Sequence, residues 1–225
     1  MPVKILTIDG NIGSGKSRYM EELKKKYKNH DNIVFAPEPV EKWEKIRDQK
    51  TNMSVLEHFY DNQREYSFSF QMMAFISRLS ILRNIVRDNP EKSIIIITER
   101  NLFTDKYVFA KMLYDEGKIN DINYQIYLEW FDEFAKDFPI DYCIYIKTNP
   151  CICKQRISKR SRKGEESIRL QYLLTCDSYH EYYMKSPEII NATSIVFDGD
   201  CDTYQNPNIL ENWLQQTDSM IFNLK

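Results

Sequence analysis

A glycine-rich run near the start of the chain has the composition of a phosphate-binding loop. Residues 10–17 read Gly-Asn-Ile-Gly-Ser-Gly-Lys-Ser and satisfy G-x-x-x-x-G-K-[ST] at every fixed position. Glycines let the backbone wrap closely, so that consecutive N–H groups can donate to phosphate oxygens. The lysine of such a loop neutralises the β- and γ-phosphates, and its serine offers a hydroxyl to Mg²⁺. The positions predicted to bind ATP, or another nucleoside triphosphate, are Gly10, Asn11, Ile12, Gly13, Ser14, Gly15, Lys16 and Ser17.

Charged residues follow two further runs that have the pattern of buried strands. Glu38 stands between Pro37 and Pro39, which fix the backbone around it. Glu99-Arg100 follows a run of four isoleucines. Glu38 is therefore predicted to accept the proton of an attacking hydroxyl, Glu99 to hold Mg²⁺, and Arg100 to bind a phosphate or carboxylate. The alternative for each is a solvated charge in a loop.

A long helical pattern carries three residues that could recognise a ligand. Gln71, Ala74 and Arg78 are spaced by three and then four, which places them on one helix face. Gln71 can donate to and accept from the edge of a nucleobase. Arg78 needs a partner if it is buried, and Asp105 is the predicted one. The alternative is a solvent-exposed stripe on an amphipathic helix.

A basic segment later in the chain is predicted to be a lid, at about residues 156–166. A mobile segment of this kind closes over phosphates and excludes water. The alternative is a set of cations that stabilises the dipole at a helix C-terminus. The segment includes Arg156, Lys159, Arg160, Arg162, Lys163, Gly164, Glu165 and Glu166. Beyond it, the acidic run at residues 198–202 is predicted to face the adenine.

Strand and helix patterns alternate along the whole chain. Alternation of this kind predicts a parallel sheet with right-handed crossovers, in which ligands bind at the carboxyl ends of the strands. The fold class is thus α/β, a doubly wound parallel five-stranded sheet of the P-loop NTPase type, within one domain of residues 1–225. Strands are predicted at residues 3–8, 32–36, 93–98, 141–147 and 193–197. Helices are predicted at residues 16–28, 55–62, 66–86, 105–116, 122–136, 151–159, 168–185 and 207–222.

Composition limits the classes of binding partner and the cellular compartment that we expect for the protein. The formal net charge is −2, without the basic excess of a protein that binds nucleic acid polymers or anionic membranes. An apolar run begins directly after the first residues, so we expect no signal peptide, and no stretch has the length of a membrane span. The five cysteines are an odd number, which favours reduced thiols in the cytoplasm.

Over nearly its whole length the sequence resembles the deoxyribonucleoside kinases, the family of deoxycytidine, deoxyguanosine, mitochondrial thymidine and insect multisubstrate kinases. Its phosphate loop and the segment Glu-Pro-Val-x-x-Trp at residues 38–43 are similar to those of the family. The resemblance implies Glu38 as catalytic base, Trp43 as a wall of the nucleoside pocket, and Tyr60 on the sugar 3′-hydroxyl. It implies Mg²⁺ at Glu99, with Ser17 as the second ligand, and Arg100 near the 5′-oxygen. Phe70 and Phe103 are the predicted aromatic neighbours of the nucleoside.

The lid also resembles that of the family, with two departures. Arg156, Arg160 and Arg162 are implied to contact phosphates, and Glu166 the 3′-hydroxyl, with Glu165 as the alternative. Asn101 stands where the family usually has serine after Glu-Arg, and the lid has one extra residue, Lys163 or Gly164, before the acidic pair. The resemblance further implies a homodimer formed through the long helices.

The residues at the base end indicate the substrate. Ala74, Arg78 and Asp105 match the branch of deoxycytidine and deoxyguanosine kinases. A charged pair there fills the space of a thymine methyl group and bonds an amino-bearing base. We therefore expect deoxycytidine and purine deoxynucleosides as substrates and poor use of thymidine.

Two other functions remain open at this point. A thymidylate-type monophosphate kinase would carry an arginine where Pro37 precedes Glu38. A non-kinase switch ATPase would share only the phosphate loop, because that motif alone does not identify the reaction.

Overall fold

The computed structural model describes residues 3–160, 162 and 164–222. Its sheet is entirely parallel, with the strand order β2-β3-β1-β4-β5. The strands are β1 Val3–Asp9, β2 Ile33–Ala36, β3 Ile94–Glu99, β4 Tyr142–Lys147 and β5 Thr193–Asp198. Each begins or ends within one residue of its predicted bounds, so the predicted fold class is confirmed.

The isoleucine run explains the position of β3. It pairs with β1 through Ile94 to Glu99 on one edge and with β2 on the other. A strand inside a parallel sheet is covered by helices on both faces, so both of its faces must be apolar. Ile94, Ile96 and Ile97 are accordingly buried.

Helices cover both faces of the sheet. Each large apolar side chain that is fully buried between a helix and the sheet stabilises the fold by about 1.5–3 kcal/mol. On one face, Phe75 of the long helix and Tyr127 of a later helix pack on Ile5 and Ile96. On the other face, Leu23 of the first helix and Met220 of the last pack on Leu6, Ile8 and Ile97. The longer helices are α1 Lys16–Lys26, α4 Gln63–Asp88, α7 Asp121–Phe134, α8 Pro150–Arg160, α9 Leu170–Tyr183 and α11 Pro207–Phe222.

The shorter helices include the main departures from the predicted elements. The helix predicted at residues 105–116 divides into a π-helical turn, Asp105–Ala110, and α6, Lys111–Asp115, after a short α5, Leu102–Thr104. Two other short helices, α2 Val40–Lys45 and α10 Pro187–Ile190, were not predicted, whereas α3 Val55–Asp61 was. The structure also has 3₁₀ turns at Ala135–Asp137 and Glu165–Ser167. None of the described helices is both long and apolar enough to cross a bilayer.

Candidate active site

A cavity of about 510 Å³ lies at the carboxyl ends of β1 and β3, beside the N-terminus of α1. This volume is in the usual range for a small-molecule site, and the position is the one expected for a parallel sheet. The cavity has a phosphate end, lined by the glycine-rich loop, and an acceptor end, lined by side chains of α3, α4 and the π-helical turn.

The loop between β1 and α1 forms the phosphate end. Gly13 and Gly15 have φ of +81° and +105°, values that favour glycine, and residues 12–17 line the cavity. Gly10 and Asn11, which were predicted to contact nucleotide, lie behind this surface. The Asn11 amide donates to the Leu173 carbonyl at 2.8 Å, and the Gly10 carbonyl accepts from Arg100 at 3.3 Å. Their place in the structure therefore supports the loop rather than a ligand.

Lys16 is buried at the base of this loop. Its Nζ donates to the Asn11 carbonyl at 2.7 Å. Burial, assisted by the nearby Arg100 charge, lowers the pKa of Lys16 to about 8. A phosphate dianion placed beside the ammonium would raise that pKa again, since an opposite charge favours the protonated form.

Ser17 and Glu99 meet beside the loop. The Ser17 hydroxyl donates to Glu99 Oε1 at 2.7 Å. Two oxygen ligands of this kind fit Mg²⁺, which binds proteins through one or two carboxylates and takes its other ligands from phosphates and water. Within residues 3–160, 162 and 164–222, no group of three or more His, Cys, Asp or Glu side chains forms a complete metal site.

Glu38 faces Arg100 between the two ends of the cavity. Arg100 Nη1 donates to Glu38 Oε1 at 2.6 Å. Burial opposes ionisation of Glu38, but the charges of Arg100, Arg78 and Lys16 outweigh it and lower the pKa of this carboxyl. Glu38 is therefore an ionised acceptor and a weak base over the physiological pH range.

Arg100 itself has an unusual backbone. Its φ of +60° is in the left-handed region, which costs a residue with a side chain about 1–2 kcal/mol. Although burial opposes its charge, Glu38, Glu99 and Asp9 raise the pKa of its guanidinium. The Arg100 guanidinium therefore stays charged beneath the cavity.

Arg78 and Asp105 form the predicted pair at the far end of the cavity. Arg78 Nε donates to Asp105 Oδ2 at 3.0 Å, and Nη1 donates to the Glu99 carbonyl at 2.6 Å. Both side chains are 3% exposed, so neither charge is compensated by bulk water. Arg78 Nη2 also lies 3.8 Å from Glu38, which joins this pair to the Glu38–Arg100 pair.

Apolar rings enclose the acceptor end. The ring centroids of Trp43 and Phe70 are 5.3 Å apart in a T-shaped contact, and Phe59 stacks on Phe70 at 4.5 Å. Trp43 Nε1 donates to Ser77 Oγ at 2.9 Å, which fixes the plane of the indole. The remaining acceptor-side lining residues are Leu56, Tyr60, Gln71, Ala74, Phe109 and Tyr172.

The basic residues of the segment at 156–166 border the phosphate end. Arg156 Nη1 donates to the Gly199 carbonyl at 2.8 Å. Arg160 and Arg162 bond the two carboxylate oxygens of Glu165 at 2.6 and 3.1 Å. All three arginines and Glu165 line the cavity, and Lys163 lies outside the described residues.

The comparisons with known proteins agree with this geometry. The family model for deoxynucleoside kinases matches residues 6–221. The chain belongs to the deoxynucleoside kinase family. It is 31% identical to a mitochondrial deoxyguanosine kinase of Xenopus laevis, over 82% of this chain and 74% of the relative. It is 32% identical to deoxycytidine kinase 2 of Gallus gallus over 80% and 73%, and 31% identical to deoxycytidine kinase of Homo sapiens over 81% and 75%. The predicted family is thus confirmed.

Besides Gly10 and Asn11, two predicted residues of this kinase lie outside the cavity. Phe103 packs on Phe131, with ring centroids 5.3 Å apart, and does not line the site. It precedes Asp105 by two residues and so lies on the opposite helix face, whereas Phe109 follows Asp105 by four and shares its face. Glu166, the residue predicted to contact the sugar, is exposed, whereas the alternative, Glu165, is buried and lines the cavity.

The kinase has cavity residues that the motifs did not indicate. Leu56 precedes Tyr60 by four residues on α3, Phe59 follows Leu56 by three, and Phe109 follows Asp105 by four; this spacing was the available signal. Near the phosphate loop, the Arg18 guanidinium lies over the ring of Tyr204. Within the acidic run at 198–202, Gly199, Cys201 and Asp202 line the cavity.

Proposed function

We propose that this kinase transfers the γ-phosphoryl group of ATP to the 5′-hydroxyl of deoxycytidine and of purine deoxynucleosides, as a step of nucleotide salvage. The observation that carries the proposal is the position of Glu38. Its ionised carboxylate stands between a complete phosphate loop and a ring-lined acceptor pocket. That is where a hydroxyl attacking a γ-phosphate would need its acceptor.

The charges of the acceptor end favour an uncharged nucleoside over a nucleoside monophosphate. Its two arginines, Arg78 and Arg100, are each paired with a carboxylate, Asp105 and Glu38. A phosphorylated acceptor would bring two negative charges to a region whose cations are already neutralised. This argues against the thymidylate-type alternative.

The base preference rests on the Arg78–Asp105 pair. Together with Gln71, which lines the same cavity, the pair presents donors and acceptors to a base that has an exocyclic amino group. Ala74 leaves room for the ring. Names of the relatives, deoxyguanosine kinase and deoxycytidine kinase, agree with this preference.

In the proposed reaction the residues act mainly by position and charge. Glu38 accepts a hydrogen bond from the 5′-hydroxyl and takes its proton late, because its low pKa makes it a weak base. Lys16 and the lid residues Arg156, Arg160 and Arg162 neutralise charge on the transferring group. Ser17 and Glu99 would hold Mg²⁺, which when bound neutralises the β- and γ-phosphates. Arg100 orients Glu38 through their short hydrogen bond.

The remaining contacts hold the nucleoside in place. Trp43 and Phe70 are the proposed walls for the base, with Phe109 replacing Phe103. Tyr60 and Glu165 both line the cavity and are the proposed partners of the sugar 3′-hydroxyl. A fixed sugar keeps the 5′-oxygen in line with the γ-phosphorus, which supplies much of the rate enhancement.

A panel of acceptors tests the proposal. The four deoxynucleosides and their monophosphates are each incubated with ATP, and product and ADP are measured together. We expect deoxycytidine and the purine deoxynucleosides to give 5′-monophosphates, with thymidine slowest. Fastest turnover of thymidine would refute the base preference. Turnover of monophosphates alone, or ADP release that no acceptor increases, would refute the nucleoside kinase.

We also propose a homodimer through α4 and α7. Ile122, Ile126 and Trp130 of α7 are spaced by four residues and are 72%, 42% and 46% exposed. Ile76 of α4 is 46% exposed. An apolar stripe of this kind is typical of a surface that a second copy covers. Sedimentation of the wild type and of Trp130→Glu tests it: the proposal requires a dimer that this substitution shifts to monomer.

The cytoplasm remains the proposed compartment. All five cysteines, each in the described part of the chain, have free thiols. One relative is named as mitochondrial, so the location of the tagged protein in cells decides between the two compartments.

A further inference from the structure

The turn after β3 is held by a buried polar network that no step of the proposed mechanism uses. Asn101 is 3% exposed and follows Arg100 directly. Its Nδ2 lies 2.9 Å from Asp9 Oδ2, 3.0 Å from Thr7 Oγ1 and 3.0 Å from the Tyr183 hydroxyl. The amide therefore joins β1 and α9 to the turn that presents Arg100.

The other half of the same amide caps the helix that follows. Asn101 Oδ1 accepts from the backbone N–H groups of Phe103 and Thr104 at 2.7 and 3.0 Å. A serine could make such a cap, but its single hydroxyl is too short to reach β1 and α9 at the same time. Asparagine at a position where the family usually has serine thus adds contacts across the sheet.

Asp9 is the centre of the network. It is fully buried at the end of β1, and it accepts from Thr7, Thr104 and Asn101 at 2.7, 2.6 and 2.9 Å. Three donors satisfy its carboxylate, and its charge lies close enough to Arg100 to favour the charged guanidinium. The network therefore fixes the turn after β3 and also places a negative charge near the Arg100 guanidinium.

The segment that the network braces is strained. Arg100 has φ of +60°. Its backbone N–H donates to the Ile8 carbonyl at 3.0 Å, and its backbone carbonyl accepts from Thr98 Oγ1 at 2.8 Å. A strained conformation persists only where the surroundings fix it on several sides. The side chain that leaves this backbone is the one that binds Glu38 at 2.6 Å.

We propose that Asn101, acting with Asp9, is a positioning residue that holds Arg100 in its left-handed conformation and so orients Glu38 for phosphoryl transfer. The inference deepens the proposed function and rests on it for the role of Glu38.

The substitution Asn101→Asp removes the donor and keeps the helix cap. Its carboxylate would face Asp9 at about the same distance, and two adjacent carboxylates repel. We expect kcat about 30-fold lower, with KM for ATP within about twofold, because residues 12–17, which line the phosphate end, make no bond to Asn101. Asn101→Ser, which keeps only the cap, is expected to lower kcat about fivefold.

Exchange of the two groups is expected to restore activity. In the variant Asp9→Asn with Asn101→Asp, the amide and the carboxylate change places across one hydrogen bond, and the buried charge is unchanged. We expect kcat within about threefold of the wild type. Tyr27→Phe is the matched control for stability: it removes a hydrogen bond of 2.7 Å to Asp218 far from the site and should leave kcat unchanged.

Two measurements separate positioning from general weakening. In an Arg100→Ala background, Asn101→Asp should lower kcat less than about twofold, because the residue it acts through is gone. In the ligand-free protein, the Arg100 Nε–Hε resonance, assigned by its loss in Arg100→Lys, should shift and broaden in Asn101→Asp.

The outcomes distinguish this inference from the proposed function. A wild type without deoxynucleoside turnover refutes the proposed function, while the substrate-free resonance still decides the inference. An unchanged Arg100 resonance, or equal loss of kcat in both Arg100 backgrounds, refutes the role of Asn101.

Discussion

The backbone that faces a ligand at the phosphate end of the cavity belongs to one short loop, whereas the groups at the acceptor end come from many separate elements. At the phosphate end, residues 12–17 are consecutive, and much of their chemistry belongs to the backbone. At the acceptor end, Glu38, Tyr60, Arg78 and Asp105 are far apart in sequence and meet only in the folded chain. The first end depends on local conformation and the second on packing, so substitutions at the two ends should fail in different ways.

The largest effect is expected at the junction of the two ends. Glu38→Gln should lower kcat about 100-fold or more, the usual range for loss of a general base, while binding of nucleoside and ATP persists. The matched control is Glu41→Gln, an exposed carboxylate of α2. Steady-state kinetics and calorimetric binding measure the two properties. Near-normal turnover in Glu38→Gln would remove Glu38 from the proposed role.

A methyl group in the phosphate loop should mainly affect nucleotide binding. A Cβ at Gly13 would lie 2.7 Å from the Cys153 carbonyl and would require an unfavourable φ. We expect Gly13→Ala to weaken ATP binding about 30-fold, because the loop must shift away from its phosphate-binding shape. Gly117→Ala is the control, since Gly117 also has positive φ but has open space around its Cβ position. It should cost about 1 kcal/mol of stability and leave affinity unchanged. Equal affinities for the two variants would contradict the steric argument.

The titration of Lys16 gives the phosphate end a pH dependence. In the free protein its pKa is about 8, so it loses charge above that pH, whereas a bound triphosphate keeps it protonated. Binding at higher pH therefore requires proton uptake, and the affinity for ATP should fall about tenfold between pH 7 and pH 9. In Lys16→Arg, whose cation does not titrate in this range, any residual affinity should be independent of pH. The same decline in Lys16→Arg would assign it to another group.

The smallest expected effect concerns base selection at the acceptor end. Asp105→Ala leaves the Arg78 charge buried without its carboxylate, which should destabilise the protein by about 3 kcal/mol or more. Adding Arg78→Leu removes the second charge and should recover most of that loss. In the double variant the ratio of thymidine to deoxycytidine turnover should rise about fivefold, because the space for the methyl group is free. A ratio that stays constant would show that other residues exclude thymidine. Urea unfolding and the acceptor panel measure these quantities.

The same contrast explains what the sequence could predict. The phosphate loop is local: eight consecutive residues between a strand and a helix define it, and its predicted position agrees with the structure. The five strands were also predictable, because each is a short apolar run bounded by polar or glycine-rich segments. Neither prediction required knowledge of how distant segments meet.

The acceptor end was less predictable because small rotations of a helix decide which side chain enters the cavity. A π-helical turn replaces the regular helix predicted after Asp105, and no periodicity in the sequence announces it. The choice of Phe103 has a different cause, because the spacing of four between Asp105 and Phe109 indicated Phe109 and was not used. The choice between Glu165 and Glu166 depends on a 3₁₀ turn and on two arginines that approach only Glu165. The π-helical turn and the 3₁₀ turn are set by tertiary contacts rather than by residue patterns.

The close approach of Gly13 to Cys153 has a mechanical consequence. It presses the phosphate loop against the first turn of α8, and Thr148 adds a hydrogen bond of 3.2 Å to the Ser14 carbonyl. A Cβ at Gly13 would also lie 3.0 Å from Ile157 Cγ1, so the second turn of α8 packs against the phosphate loop as well. A movement of Arg160 and Arg162 that leaves both contacts intact is therefore confined to the residues that follow Ile157.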